Sequence, residues 1–258
     1  MPKRRRAPAA TRTADALLPM SDPEMEVLGW DALDVLLVSG DAYVDHPSFG
    51  AALISRLLEK QGYRVAILAQ PDWRDPAAFR RLGRPRLAFL ITAGNLDSMV
   101  SNYTVNRRRR KRDDYSAGGA GLRAGGREGF RPDRASILYT VCARQAYPGA
   151  AVVLGGLEAS LRRLAHYDYW SDRVRRSLLL DAKADLLVYG MGERAITEIA
   201  ALLSQGVPAR RIDRVAGTVV RRSSLIGVAD GRPAMLPSFE EVREDRRAFA
   251  ESLSLIHI

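Results

Sequence analysis

The chain has 258 residues, of which 47% are hydrophobic and 27% are charged, a composition typical of a soluble globular protein and not of a disordered or fibrous one. Its single cysteine, Cys142, excludes an internal disulfide framework and a multi-cysteine metal site built from these residues alone. No apolar run approaches the roughly 18 residues of a membrane span, and no apolar signal segment follows the basic N terminus. We therefore predict a cytoplasmic protein without a membrane partner.

Much of the formal net charge of +10 lies in two basic runs, MPKRRR at the N terminus and RRRRKR at 107–112. Clustered cations release counterions when they neutralise phosphates, so these runs indicate nucleic acid as one partner class. The second run adjoins SAGGAGLRAGGREG, which lacks the apolar content needed to pack and favours a solvated loop. We assign residues 1–19 to a basic disordered tail and residues 105–130, approximately, to a basic glycine-rich insert.

Five short apolar runs rich in Val, Ile and Leu recur along the chain: DVLLVSG at 34–40, RVAILAQ at 64–70, RLAFLIT at 86–92, AAVVLGG at 150–156 and ADLLVYG at 184–190. The runs are continuous and do not alternate apolar with polar residues. Strands that are covered on both faces need this pattern. We predict five buried strands.

Helical patterns fill the intervals between these strands. From Gly50 to Leu58 apolar residues recur at helical spacing, and Gly62 suits the end of that helix. Before the fourth strand, Asp133 can cap a helix in which Cys142 shares an apolar face, so we interpret Cys142 as a core residue and not as a nucleophile. Parallel strands joined by right-handed helical crossovers follow from this alternation. The predicted fold is therefore α/β, with an open, doubly wound, mostly parallel five-stranded sheet that is Rossmann-like.

Polar or glycine-rich segments follow every predicted strand, namely GDAYVDHPS, QPDW, TAGNLDS, GGLEAS and GMGER. Ligands of open parallel sheets bind outside the carboxyl ends of the strands, so we expect these segments to meet at one edge and to form a cofactor or substrate cleft. We predict that one side of the cleft is lined by Asp41, Tyr43, Asp45, His46 and Ser48. The predicted residues of the other side are Asn95, Gly155, Gly156, Glu158, Ser160, Gly190, Gly192 and Glu193.

Each of these motifs has an alternative interpretation. GGLEAS also fits a tight turn with an ordinary helix cap, and Asp45 with His46 also fits a hydrogen-bonded structural pair. GMGERA at 190–195 fits the dinucleotide pattern G-x-G-x-x-A, although that pattern normally follows the first strand. An NAD-type oxidoreductase therefore stays open as an alternative, beside a nucleic-acid-binding module. HYDYWSDRVRR at 166–176 mixes aromatic and charged residues without a simple period, which suits either a planar or anionic partner or a domain interface.

Long stretches of the chain resemble the N-terminal region of the YgiQ-type radical SAM proteins, among them LPMSDPEMEVLGWDALDVLLVSGDAYVDHPSFG, TAGNLDSMVSNYT, GGLEASLRRLAHYDYWSDRVRRS and KADLLVYGMGE. The resemblance extends from about Leu18 to about Glu244. It implies a Rossmann-like, cobalamin-domain-like N-terminal domain, here residues 20–235, that precedes a radical SAM barrel. In that barrel a C-x-x-x-C-x-x-C loop holds a [4Fe–4S] cluster, which cleaves S-adenosylmethionine to a 5′-deoxyadenosyl radical. The substrate is unknown.

The chain departs from this family in two ways. It has no three-cysteine loop, so we expect a fragment whose partner is its own missing radical SAM domain, toward which a helix within residues 236–258 leads. Cobalamin domains that ligate through histidine carry D-x-H-x-x-G, whereas here Asp45 and His46 are adjacent and Gly50 lies four residues beyond. The resemblance thus leaves cobalamin open as a cofactor and assigns no catalytic or metal-ligating residue. The resulting hypothesis is a domain that shapes the cleft for substrate and cofactor and is inactive alone.

Overall fold

The computed structural model describes residues 16–116, 131–224 and 234–256. The strands within these ranges are β1 Val35–Ser39, β2 Val65–Ala69, β3 Ala88–Thr92, β4 Val152–Leu154, β5 His166–Asp168, β6 Arg173–Arg175, β7 Leu186–Val188 and β8 Thr218–Val219. The helices are α1 Asp22–Val27, α2 Gly50–Lys60, α3 Ser98–Asn102, α4 Ala135–Ala146, α5 Gly156–Leu161, α6 Leu178–Ala182, α7 Glu193–Ser204, α8 Phe239–Glu244 and α9 Arg246–Ile256.

The central sheet has the strand order β2-β1-β3-β4-β7-β8. Every neighbouring pair is parallel except β7 with β8, which is antiparallel. The five predicted strands and their parallel pairing are therefore confirmed, and the first five positions have the doubly wound order with its switch point between β1 and β3. The central sheet has six strands where five were predicted, because β8 has two residues and gives no periodic signal.

Each central strand is buried on both faces, as its apolar run predicts. Leu36 and Val38 pack into the core formed with α4 and α6, whereas Val35 and Leu37 pack into the core formed with α2 and α7. Successive side chains of a strand point to opposite faces, so a continuous apolar run fills two cores at once. The sheet is thus covered by helices on both sides.

Helices α2 and α7, which cover the same face of the sheet, are close neighbours. Gln61, which follows α2, donates a hydrogen bond to the hydroxyl of Thr197 in α7 at 2.9 Å. On the opposite face, Cys142 of α4 is buried and its Sγ donates to the carbonyl oxygen of Trp73 at 3.1 Å. Its position matches the interpretation as a core residue.

Two segments form structures that were not predicted from the sequence. HYDYWSDRVRR forms an antiparallel hairpin, β5 with β6, whose three-residue strands are too short to show a period. The predicted single helix near the C terminus is two helices, α8 and α9, separated at Asp245. A reciprocal capping box between Ser238 and Glu241 starts α8.

Parts of the predicted tail and insert lie outside the described residues. These parts are residues 1–15 of the predicted basic tail and residues 117–130 of the predicted glycine-rich insert. Among the helices that the structure does describe, none has the length and apolar character needed to cross a bilayer.

Candidate functional site

A cavity of about 250 Å³ lies at the carboxyl edge of the sheet, between the sheet and the N-terminal turns of α2 and α7. Its apolar walls come from four strands, from the helices α2, α5 and α7 and from the segment after β7: Leu37, Ala51, Leu53, Ile54, Leu90, Ile91, Val153, Leu154, Leu157, Val188, Met191 and Ile196. Its polar and glycine positions are Gly50, Thr92, Gly94, Asn95, Gly155, Gly156, Gly190, Gly192 and Glu193. An apolar cavity with a few polar groups near its mouth is the usual form of a small-molecule site.

Glycines form much of the mouth of this cavity, and two of them are required by close contacts. A Cβ on Gly94 would lie 2.0 Å from the Asp41 carboxylate, and a Cβ on Gly156 would lie 2.4 Å from the Thr92 hydroxyl. Both glycines also have positive φ angles, of 113° and 84°. By contrast, a Cβ on Gly155 would meet no heavy atom within 4 Å. The mouth therefore has no room for a side chain at Gly94 or Gly156, whereas it has room for one at Gly155.

The Ser160 side chain holds two parts of the mouth together. Its hydroxyl donates to the carbonyl oxygen of Gly156 at 2.8 Å and accepts from the N–H of Gly190 at 3.0 Å. These bonds join the segment after β4 to the segment after β7. Ser160 therefore positions cavity-lining glycines although it does not itself line the cavity.

The electrostatics of the cavity combine opposing contributions. Helices α2 and α7 begin at its wall, and neither of the preceding residues, Phe49 and Gly192, caps its helix with a side-chain hydrogen bond. Helix N termini favour anions. Glu193, the first residue of α7, places a carboxylate at the same position. The site therefore does not present the simple positive field that a pyrophosphate group needs.

Asp41 belongs to a buried ionic network behind the cavity. Its carboxylate pairs with Arg131, whose Nη1 lies 2.9 Å from Oδ2 of Asp113, and all three residues are buried. The N–H of Asn95 donates to Asp41 at 2.6 Å. Burial raises the pKa of Asp41 above its ordinary value, and the charge of Arg131 opposes that rise. Asp41 thus supports Gly94 and Asn95 from behind and does not line the cavity.

The other predicted residues of the β1 segment lie near α2 and not on the cavity wall. Asp45 is ion-paired with Arg56 of α2. His46 is exposed, and its Nδ1 accepts a hydrogen bond from the N–H of Ser48 at 3.2 Å. Tyr43 packs against the core on the α2 and α7 face, and burial together with a hydrogen bond to Asp45 raises its pKa to about 12.

The buried carboxylate of Glu158, a residue of α5, connects this helix to α3 and α4. The carboxylate accepts from the N–H and hydroxyl of Ser98 in α3 and from the N–H of Ser136 in α4, the latter at 3.0 Å. Only 1% of the residue is exposed, so its charge is stabilised by these donors and not by water. Glu158 therefore fixes α5 against α3 and α4, away from the cavity wall.

The structure thus brings together some of the predicted site residues and separates others. Those that line the cavity are Asn95, Gly155, Gly156, Gly190, Gly192 and Glu193, and those that do not are Asp41, Tyr43, Asp45, His46, Ser48, Glu158 and Ser160. A binding role for any of them stays a prediction. Thr92, Leu157 and Met191 also line the cavity but were not among the predicted residues, and Met191 is 90% exposed at the mouth. The only feature of the sequence that points to these three residues is that they lie next to the glycine motifs.

Comparison with known proteins places the chain in a family. Residues 17–258 match the family described as "Radical SAM N-terminal". The chain belongs to this family. A UPF0313 protein of Bradyrhizobium diazoefficiens is 48% identical over 97% of this chain, and one of Thermotoga neapolitana is 53% identical over 92% of it. The resemblance to radical SAM proteins is confirmed.

The match covers a limited part of each relative. This radical SAM N-terminal chain spans 39% of the length of the first of these relatives and 40% of the second. A UPF0313 protein of Shewanella oneidensis is 56% identical over 80% of the chain, which corresponds to 25% of its own length. No solved structure matches the chain significantly.

Proposed function

We propose that this domain forms one wall of the binding cleft of a SAM-dependent radical enzyme, with the cavity between α2 and α7 receiving one moiety of the substrate or cofactor. The supporting observation is the apolar cavity at the carboxyl edge of a parallel sheet in a chain of the radical SAM N-terminal family. Its volume of about 250 Å³ is just below the range of about 300–1,000 Å³ found for ordinary ligand pockets. It therefore suits a single planar or apolar group and not a whole large cofactor.

The residues of this chain do not fit a [4Fe–4S] cluster. Such a cluster is held by several cysteine thiolates, whereas the chain has only Cys142, which is buried in the core. In the part of the chain that the structure describes, no three His, Cys, Asp or Glu side chains are grouped as metal ligands. The radical chemistry that we propose for the full-length protein therefore needs ligands from elsewhere, and this domain contributes binding, orientation and exclusion of water.

Cobalamin ligated by His46 does not fit either. His46 is exposed beside α2, does not line the cavity and lies outside the D-x-H-x-x-G spacing. Cobalamin bound without a histidine ligand stays a proposal, in which the cavity would take one apolar part of the molecule. The domain assignment of residues 20–235 is likewise proposed.

The comparisons favour neither alternative function. An NAD-type oxidoreductase would need GMGERA to bind a pyrophosphate at the start of α7. Glu193 occupies that position with a negative charge, which argues against a dinucleotide on electrostatic grounds.

Ligand titration followed by amide NMR tests the proposed cleft. We would titrate the purified chain separately with 5′-deoxyadenosine, S-adenosylmethionine and hydroxocobalamin. We expect at least one of them to shift the amide signals of Gly155, Gly190 and Gly192. Gly155→Leu should abolish the shifts, since Gly155 lines the cavity, has extended backbone with φ of −157° and has open space around a Cβ.

Ser204→Leu is the matched control because it adds the same side chain at an exposed position near the end of α7. It should leave the shifts unchanged. The proposal is contradicted if no probe shifts the cavity amides, or if Gly155→Leu binds as well as the unmodified chain. Anaerobic reconstitution of the chain with iron and sulfide should give no cluster absorbance, and a stable cluster would contradict the assignment of roles.

A further inference from the structure

A row of aromatic rings lies beside the basic run at 107–112. The ring centroids of Tyr103 and Trp170 are 5.2 Å apart, and those of Trp170 and Tyr169 are 5.3 Å apart. We call these three residues the aromatic row. Tyr169 and Trp170 belong to the connection between β5 and β6, whereas Tyr103 directly follows α3. The fold therefore joins two segments that are far apart in sequence.

Two arginines of the basic run lie over two rings of this aromatic row. The guanidinium of Arg107 lies 4.6 Å from the ring centroid of Tyr169, and that of Arg109 lies 5.5 Å from the ring centroid of Tyr103. Both distances are within the range of cation–π attraction. Cations and rings are thus interleaved on one surface.

Backbone hydrogen bonds hold this part of the basic run in place. Thr104 donates to the carbonyl oxygen of Arg108 at 2.8 Å, and Arg110 donates to that of Asn102 at 2.8 Å. The Tyr169 hydroxyl donates to the carbonyl oxygen of Val105 at 2.7 Å. The glycine-rich composition nearby predicts a solvated loop here, and residues 105–110 are exposed, but residues 103–110 form a defined turn.

Several cations of this surface lack acidic partners. Arg109 and Arg112 are paired, with Asp133 and Asp114 respectively. Within residues 16–116, 131–224 and 234–256, no ion pair involves Arg107, Arg108, Arg110 or Lys111, all of which are exposed. Exposed cations without an acidic partner retain their attraction for an external anion, and they lie beside one exposed ring, that of Tyr169, and two partly buried rings, those of Tyr103 and Trp170. Tyr169 itself is 42% exposed.

We propose that this surface binds single-stranded nucleic acid, with phosphates on Arg107, Arg108 and Lys111 and a base stacked against the aromatic row. Proteins that bind single strands combine a positive track for the backbone with aromatic rings for the bases. An acidic protein surface would use the cations alone and would leave the exposed ring of Tyr169 without a function. The inference does not depend on the proposed role of the cavity, which lies on different residues.

Fluorescence anisotropy with a labelled oligouridylate of about 12 nucleotides tests the proposal. We expect binding that weakens steeply between about 50 and 200 mM salt. The triple substitution Arg107→Gln, Arg108→Gln and Lys111→Gln should reduce the slope of log affinity against log salt by about 2, since each phosphate contact with a single strand contributes about 0.7. The same substitutions at Arg194, Arg210 and Arg211, which are exposed on α7 and the turn after it, remove equal charge and should leave the slope unchanged.

Stacking is tested separately at Tyr169. Tyr169→Leu should weaken binding by about fivefold or more, the effect of losing one base–aromatic contact. Tyr169→Phe keeps the ring and loses the hydroxyl bond to Val105, so it should retain the affinity. Circular dichroism of both variants checks that the hairpin region is intact, and the Phe variant separates loss of stacking from loss of that bond.

Three results would overturn the proposal. One is equal binding by the Arg107 triple variant and the unmodified chain. Another is equal competition by inorganic polyphosphate together with no effect of Tyr169→Leu, which would show a surface that attracts any polyanion. The third is no oligouridylate binding at about 50 mM salt, which would leave an acidic protein surface as the partner.

Discussion

The segment after β1 and the segments after β4 and β7 end at the same edge of the sheet but have opposite character. The β1 segment carries charge, and its Asp41 is buried in an ion pair with Arg131. The β4 and β7 segments carry glycines, and these surround the cavity. The charged residues after β1 therefore support the edge of the sheet from behind, and the glycines after β4 and β7 leave the space that forms the cavity.

Elementary energetics explain this division. A buried carboxylate must be compensated by an opposite charge or by several donors, and one so compensated has little capacity left for a ligand. Asp41 is compensated by Arg131 and Asn95, and Glu158 by Ser98 and Ser136. A glycine at an open position leaves backbone and space accessible instead. Polar residues at strand ends thus indicate a ligand site only when they are not already paired.

The sharpest test of the supporting role is Arg131→Met, for which we expect the largest effect. The substitution keeps the volume but leaves Asp41 and Asp113 buried without a cation, and breaking a buried pair in this way costs about 3–5 kcal/mol. Urea unfolding followed by circular dichroism measures the loss. Arg112→Met is the control, because its partner Asp114 is 78% exposed and such surface pairs contribute only about 0–1 kcal/mol. Similar losses for the two variants would contradict the comparison.

The sequence was sufficient to predict the sheet and the edge where the cavity lies. Continuous apolar runs such as DVLLVSG specify doubly covered strands, and parallel pairing then brings their carboxyl ends to one side. Local pattern sufficed because the same residues satisfy both the strand geometry and the two cores.

The sequence could not reveal which polar residues have partners. Arg131 reaches Asp41 from 90 positions along the chain, and Asp113 comes from a third segment, so their pairing depends on tertiary contacts alone. The aromatic row has the same origin, because Tyr103 and Trp170 meet only after folding. The local pattern in GDAYVDHPS therefore suggested a binding wall where the fold has a support.

A pair of adjacent glycines gives a second, smaller test of the same comparison. Gly156→Ala forces a side chain into a positive φ and toward the Thr92 hydroxyl, and strain of this kind costs about 1–3 kcal/mol. Gly155→Ala meets neither obstacle, so its stability should change by less than about 1 kcal/mol. The thermal unfolding midpoints of the two variants measure this difference in stability. Equal midpoints would contradict the conclusion that a side chain is accommodated at Gly155 but not at Gly156.

A test that uses pH extends the comparison to the β5–β6 hairpin, where Asp168 is another paired carboxylate. Burial acts to raise its pKa, but hydrogen bonds from Ser171 and Arg134 outweigh burial and lower the pKa from 3.8 to about 2. The ionised form therefore stabilises the fold above about pH 4, and this contribution is lost as the pH falls toward 2.

Asp168→Asn removes that contribution. The stability difference between the unmodified chain and Asp168→Asn should consequently be constant above about pH 4 and shrink toward pH 2, since the protonated aspartic acid resembles the amide. Unfolding midpoints across this pH range measure it. A constant difference at every pH would instead mean that Asp168 contributes through its shape and hydrogen bonds and not through its charge, so that the hairpin, unlike the β1 segment, does not depend on an ionised carboxylate.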